Sequence, residues 1–96
     1  MRISILTSPQ VVAYIQVAPC EQLETREVLP GALLADYAPD GTLVGIELLD
    51  VVPLSALLAL FSKRRREGLA RYFRRRIPGF LKPEPGSDYP SDRKAG

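Results

Sequence analysis

The stretch that decides the fold is Ala32-Leu33-Leu34-Ala35-Asp36-Tyr37-Ala38-Pro39-Asp40-Gly41-Thr42-Leu43-Val44-Gly45-Ile46-Glu47-Leu48-Leu49. Its two apolar halves, 32–38 and 42–49, have the composition of β-strands. Between them, a proline presets one turn dihedral and Gly41 tolerates a positive φ. The stretch therefore predicts an antiparallel hairpin. Gly45, inside the second strand, predicts a bulge or a close approach to the backbone.

Two shorter strands are predicted ahead of this hairpin. Arg2 to Leu6 alternates weakly between polar and apolar residues, and Val11 to Val17 is rich in β-branched and aromatic residues. Glu21 to Pro30 has no clean period, so we predict a loop that leads into an extended or edge segment. Together the patterns predict an α+β protein in which residues 1–52 form a small antiparallel β-sheet, a meander of about four strands.

A long basic amphipathic helix is predicted after the hairpin, over residues 53–77. The apolar period changes from about 2 to about 3.6 residues, and Pro53 stands where a first helical position tolerates proline. A step of about 100° per residue then places one apolar stripe along a continuous helix. Gly68 is expected to bend or weaken this helix midway. Five residues of the stripe are predicted to form a protein interface, with core as the alternative for the last of them: Leu57, Leu58, Phe61, Leu69 and Tyr72.

Proline and glycine mark the end of the helix and the tail. Ile77-Pro78-Gly79 ends the helix, because the residue before a proline avoids the helical region. Residues 78–96 contain further prolines, glycines and serines, which predict an extended Pro- and Gly-rich tail without a core of its own.

The second half of the predicted helix, Lys63 to Arg76, holds eight of the thirteen basic residues of the chain and one acid, Glu67. Such density costs self-repulsion and indicates an anionic partner. Arginine suits that role because its planar guanidinium binds phosphate through two hydrogen bonds. Phe73 lies about 100° from the apolar stripe and is predicted to be an exposed contact beside the arginines. The predicted anion-binding residues are Lys63, Arg64, Arg65, Arg66, Arg71, Phe73, Arg74, Arg75 and Arg76.

The basic segment supports three hypotheses for a binding protein without enzymatic activity. In the first, which we favour, the β domain docks a protein partner and the arginines neutralise phosphates of RNA or DNA. In the second, the chain is a subunit of a protein complex, or an antitoxin-like protein, whose basic arm and tail wrap an acidic partner. In the third, the apolar residues from Leu57 to Phe61 enter a membrane surface and the arginines contact anionic lipids.

Composition argues against an enzyme and against a bound metal or cofactor. The chain has no histidine and one cysteine, Cys20, so His-based triads and zinc clusters have no residues to form them. No phosphate-binding glycine motif is present. Lack of a disulfide pair and of a secretory or membrane-spanning segment predicts a cytoplasmic protein. Four acids near the hairpin are candidates for a carboxylate or hard-metal site, although turn, helix-entry and solvent-facing roles explain them better: Asp36, Asp40, Glu47 and Asp50.

Several short motifs carry a family resemblance. They are Tyr14-Ile15, the run from Glu24 to Val28, Pro30-Gly31, Asp36-Tyr37, Asp40-Gly41 and the run from Gly45 to Asp50. In this spacing residues 1–53 resemble a family of small bacterial proteins catalogued as domain of unknown function 2283. The resemblance implies a small antiparallel sheet followed by a helix. It also implies an antitoxin-like role, since some relatives are encoded beside small toxin-like proteins.

The sequence departs from that family at two places. Gln10-Val11-Val12 stands where the family has an acidic residue ahead of its Tyr-Ile strand. The arginine-rich extension after Leu60 lies outside the family pattern. The resemblance therefore implies nothing about the partner of the basic segment.

Overall fold

The computed structural model describes residues 1–22 and 24–83, so the predicted tail lies outside the described residues from position 84 onward. By its contacts the chain forms two compact units, Met1–Val52, which holds a sheet, and a second unit that begins at Pro53 and holds the helices. The protein is therefore of the α+β class. The elements in chain order are β1 (Arg2–Leu6), β2 (Val12–Gln16), β3 (Glu24–Leu29), β4 (Leu33–Tyr37), β5 (Leu43–Leu48), α1 (Leu54–Leu58), α2 (Lys63–Arg76) and a 3-10 turn (Pro78–Phe80).

The sheet has five antiparallel strands in the order β1-β2-β5-β4-β3. The prediction of about four strands in a meander is wrong in both respects. β3 is a full strand at one edge, within the segment predicted to lead into an edge, and β2 pairs with β5 rather than with β3. All residues of β3 except Leu29 are exposed. An edge strand without a buried face shows no alternation of polar and apolar residues, which is why the sequence pattern did not reveal it.

β4 and β5 form the hairpin predicted from the sequence. At the turn Gly41 has φ 90°, and its N–H donates a hydrogen bond of 2.9 Å to the Ala38 carbonyl. The pairing is regular up to the point where Asp36 faces Gly45, and it shifts register at the next residue, Tyr37. This irregularity confirms the bulge that a glycine inside the strand predicts.

The two faces of the sheet differ in character. On one face, Ala13 lies beside Leu48, and Ile15 lies beside Ile46, in rows that continue onto β4. This face is apolar and its central residues are fully buried: Ala13, Ile15, Leu33, Ala35, Ile46 and Leu48. The opposite face carries polar side chains from the alternate positions of the same strands.

The predicted continuous helix is two helices, so that part of the prediction is wrong. α1 ends at Leu58, and the Phe61 N–H donates to the Leu58 carbonyl at 3.0 Å, a tight turn that ends the helix. Ser62 then adopts an extended conformation with ψ 153° and precedes the first residue of α2, a position that favours serine. α2 continues through Gly68, and the break in the helix lies before α2 begins.

Because of the break, the buried side of α2 differs from the side predicted for one continuous helix. Counted within α2 itself, the buried residues are Leu69, Ala70 and Phe73, at the spacing of one helix face. The ring of Phe73 packs against that of Phe61, with 6.0 Å between their centroids and a tilt of 47°. An aromatic pair of this geometry stabilises a small core by about 1 kcal/mol beyond its buried area.

Candidate nucleic-acid interface

The exposed side of α2 carries three aligned arginines, Arg64, Arg71 and Arg75, which we call the arginine face. Their spacings of seven and four residues place them on one side of the helix, about 160–180° from Phe73 at the centre of the buried side. Along the helix axis they span about 16 Å. Gly68 lies between them, and a Cβ added there would meet no atom within 4 Å. As far as the described residues show, the arginine face is thus exposed at each of its arginines and at Gly68.

The other predicted basic residues are also exposed, with one exception. Arg66 is half-buried, and its Nε donates to the Phe61 carbonyl at 3.1 Å. This bond ties the first turn of α2 to the segment that connects the helices, so Arg66 has a structural role that the sequence did not indicate. The exposed members of the predicted set are Lys63, Arg64, Arg65, Arg71, Arg74, Arg75 and Arg76.

The assignment of Phe73 as an exposed contact is wrong. Its side chain is fully buried, at 0% exposure. The prediction that Phe73 is exposed used an angle counted from Leu54 along one continuous helix. Because the helix breaks before Ser62, an angle counted from α1 does not apply to residues of α2. Tyr72, which the same count placed in the apolar stripe, is half-buried and lies edge-on to Phe73 at 5.7 Å between centroids.

The predicted protein-interface residues separate into two groups. Leu57, Phe61 and Leu69 are buried within the folded chain, at 0%, 6% and 8% exposure. They form core, so their assignment to a protein interface is wrong, and they are not available for a partner or a membrane surface. Leu58 and Tyr72 are half-buried and keep part of their surface.

Two other arginines lie against aromatic rings instead of carboxylates. The Arg65 guanidinium sits 5.3 Å from the centroid of the Phe61 ring, and that of Arg76 sits 5.3 Å from the Tyr72 ring. Such cation–π contacts restrain an arginine and leave its positive charge uncompensated. Both side chains therefore add positive potential beside the arginine face.

The three residues of the arginine face have no acidic partner within the described chain. Among residues 1–22 and 24–83 the structure shows one ion pair, between Arg26 Nε and Glu24 Oε2 at 2.9 Å, and it lies in β3. None of the three residues of the arginine face is paired with an acid of the described chain. Glu67, one helical turn before Arg71, is exposed and also lacks a described ion pair.

A polar cluster on the sheet was not predicted as a unit. Asp36, only 6% exposed, accepts a hydrogen bond of 2.7 Å from the Thr25 hydroxyl and a longer one of 3.4 Å from the Tyr14 hydroxyl. The Gln22 amide in turn donates to the Thr25 oxygen at 2.6 Å. Three strands, β2, β3 and β4, are thereby joined through one carboxylate, a cluster that we call the Asp36 lock.

The Tyr14 ring reaches Asp36 by crossing over Gly45. A Cβ added at Gly45 would overlap the Tyr14 hydroxyl and Cζ and lie 3.1 Å from Cε1, so only glycine leaves room for the ring. Burial, and after it the charge of Asp36, raises the pKa of the Tyr14 phenol above its ordinary value, with a smaller contribution from Glu47. Tyr14, Thr25, Asp36 and Gly45 all belong to the motifs that carry the family resemblance, which was the available signal for the cluster.

Two of the other acids near the hairpin, Asp40 and Asp50, have local structural roles. Asp40 accepts a hydrogen bond of 2.9 Å from the Thr42 N–H in the hairpin turn, and hydrogen bonds from Thr42 lower the pKa of Asp40. Asp50 accepts one of 2.7 Å from the Val51 N–H. No group of three or more acidic or thiol side chains in the described residues is placed to hold a metal ion. Cys20 is an exposed free thiol.

A depression of about 350 Å³ shares no lining residue with the Asp36 lock or with the helices. It is formed where β1 begins and β2 ends, and its walls hold no acid, histidine or thiol. A reaction site is therefore not assigned to it. The depression is lined by Met1, Arg2, Gln16, Val17, Ala18 and Pro19.

These features define a small α+β protein with one strongly basic helix. In comparisons with protein-family models, curated proteins and solved structures, nothing matches the chain. The resemblance to domain of unknown function 2283 accordingly stays a prediction. In the part of the chain that the structure describes, no helix combines the length and the hydrophobicity needed to cross a bilayer.

Proposed function

We propose that this is a non-enzymatic binding protein whose helix α2 binds nucleic acid through the phosphate backbone. The observation that carries the proposal is the arginine face: three aligned guanidinium groups, exposed, opposite the buried side of the helix and without an acidic partner among the described residues. An uncompensated array of this kind costs folding free energy through self-repulsion. A polyanion relieves that repulsion, and release of its counterions drives binding.

Phosphates are a better target for α2 than bases. Phe73, the residue predicted to offer a stacking surface, is buried, and Tyr72 already lies beneath Arg76. The outward side of α2 also has no asparagine or glutamine, the residues that read adenine through paired hydrogen bonds. Contacts to phosphate fix position without reading sequence. We therefore expect α2 to bind duplexes with little dependence on their sequence, and to gain nothing from unpaired bases.

Binding to fluorescently labelled DNA duplex, RNA duplex and single strand, measured by anisotropy over a series of salt concentrations, tests the proposal. On duplex DNA the slope of log K against log salt is about −0.9 for each phosphate contact. Replacing Arg64, Arg71 and Arg75 together by Gln should reduce the size of the slope by about 2–3, as three contacts are lost.

The matched control removes the same charge elsewhere. Arg2, Arg26 and Lys82 are exposed, and replacing all three by Gln changes net charge equally while leaving α2 intact. This control should retain most of the affinity and of the salt slope. Equal losses in both triple variants, or binding that ignores salt, would refute the proposal. Binding to polyglutamate but to none of the nucleic acids would instead support the alternative of an acidic protein partner.

A further inference from the structure

The two edges of the sheet differ in how well they are protected against pairing. β3, at one edge, carries Glu24, Arg26 and Glu27 on a strand of six residues. Charges of this kind are the usual means by which a protein prevents another strand from pairing with an edge. β1, at the other edge, reads Arg2-Ile3-Ser4-Ile5-Leu6 and has one charge, at its first residue. β1 is thus an unprotected edge.

Exposed apolar side chains concentrate at the same edge. Ile5 is 50% exposed and Leu6 is 59% exposed, and both lie in β1. Met1 precedes the strand and Val11 lies in the connection to β2, at 45% and 55% exposure. Within the described residues only two other large apolar side chains, Val28 and Val51, are comparably exposed. An apolar edge with free backbone hydrogen-bonding groups favours the addition of a strand.

We propose that β1 pairs with β1 of a second copy of this chain, in antiparallel orientation about a two-fold axis at Ser4. This register places Ile3 opposite Ile5 of the partner subunit, and Arg2 opposite Leu6 of the partner subunit. The strand is self-complementary in this register, because apolar residues meet across the axis and the two Arg2 side chains lie at opposite ends. A parallel pairing would instead set Arg2 beside Arg2, which is unfavourable.

The register also continues the buried face of each sheet. Ile3 neighbours Ile15, and Ile5 neighbours Ala13, both fully buried residues of β2. Ile3 and Ile5 therefore extend the apolar rows of their own sheet as far as its edge. Across the two-fold axis the Ile3 row of one subunit meets the Ile5 row of the other. The apolar face then continues over eight strands, from β4 of one subunit to β4 of the other.

Closure at two copies follows from the contrast between the edges. Once the two β1 strands have paired, the strands left at the ends of the joined sheet are both β3, which is charged. A closed dimer is the outcome, rather than an open fibre. The inference goes beyond the proposed function and is independent of it, because a monomer that still binds duplex refutes the pairing alone.

Sedimentation equilibrium of the full chain under reducing conditions, which prevent a Cys20 disulfide, tests the inference. We expect a species of twice the 10.6 kDa chain mass. Ile5→Lys places a charge at both symmetric Ile3–Ile5 contacts and should raise the dimer dissociation constant at least about tenfold. Because Ile5 is half exposed, the monomer should keep its fold, which the far-ultraviolet circular dichroism spectrum reports.

Val28→Lys is the matched control, since it adds the same charge to an exposed apolar position on the other edge strand. It should leave the dissociation constant unchanged. Amide hydrogen exchange gives a second measurement: the outward amides of β1 should be protected at high protein concentration and lose protection on dilution. A monomer over the full concentration range, a dimer unaffected by Ile5→Lys, or equal weakening by Val28→Lys would each overturn the inference.

Discussion

Replacing Gly45 by alanine is the sharpest perturbation of the Asp36 lock. The added Cβ occupies the place of the Tyr14 hydroxyl and Cζ, so the ring has to rotate away. A Cβ at Gly45 meets the rigid ring of Tyr14, unlike a Cβ at Gly68, which meets nothing within 4 Å among the described residues. The substitution therefore tests whether the ring position matters to stability.

The expected loss of stability follows from three contributions. Overpacking of a close contact costs about 1–3 kcal/mol. The displaced Tyr14 gives up its 3.4 Å hydrogen bond to Asp36, a long one that contributes about 1 kcal/mol at most. Alanine recovers about 0.4–1 kcal/mol by restricting the unfolded chain. The net destabilisation is about 2 kcal/mol, which lowers the melting temperature of a domain this small by about 8–16 °C.

Urea denaturation followed by circular dichroism measures this loss, and a double-mutant cycle assigns it. In a Tyr14→Ala background the ring is absent, so Gly45→Ala should cost less than about 0.5 kcal/mol or stabilise. The coupling between the two substitutions should then be close to the full 2 kcal/mol. Gly45→Ala that is neutral in the parent protein, or equally harmful in both backgrounds, would show that the Tyr14 ring does not explain the glycine.

Two further predictions concern α2 and the Tyr14 phenol. Gly68→Ala should stabilise α2 by up to about 1 kcal/mol, because alanine is the better helix former and its methyl group meets no described neighbour. The measurement is the melting temperature, which should rise. A lower melting temperature would contradict the open surface at this position. Because the folded-state pKa of Tyr14 is raised, its contribution to stability is complete below about pH 10 and is lost as pH rises through the folded value. The difference in unfolding free energy between the parent protein and Tyr14→Phe should therefore be constant below about pH 10 and shrink as pH rises above it, and a difference that stays constant throughout would show that the phenol is unperturbed.

The predictable parts of the fold are those that are determined by a few residues adjacent in the sequence. The hairpin turn needs a residue with positive φ, and a glycine at position 41 indicates such a turn. The bulge beside Gly45 is signalled in the same way. β3 was not predictable from its pattern, since its residues are exposed and their alternation has no buried side to follow. The pairing of β2 with β5 is a long-range choice that local sequence does not encode.

The positive charge of the candidate site was predictable from the sequence. The side of the helix on which its residues lie was predicted wrongly. The density of arginine between Lys63 and Arg76 is a property of composition, so it does not depend on the residue at which the helix begins. The side on which each residue lies depends on where the helix starts. Ser62, between the apolar run and the basic run, was the available sign of a new start. Because the predicted helix was continued through Ser62, Phe73 was placed on the exposed side of the helix. The hydrogen bond from Arg66 to the segment between α1 and α2 was missed for the same reason.

The short segment between α1 and α2 gives the chain a way to vary its basic surface. In one unbroken helix, inserting or deleting a single residue turns everything downstream by about 100°. Here α2 has its own start at Ser62, and its orientation is held by the Phe61–Phe73 ring contact. A change of length in the connection can thus be absorbed before α2 begins, and the number of arginines on α2 can change without altering the Asp36 lock. The charge of the basic surface and the hydrogen bonds of the Asp36 lock can then vary separately.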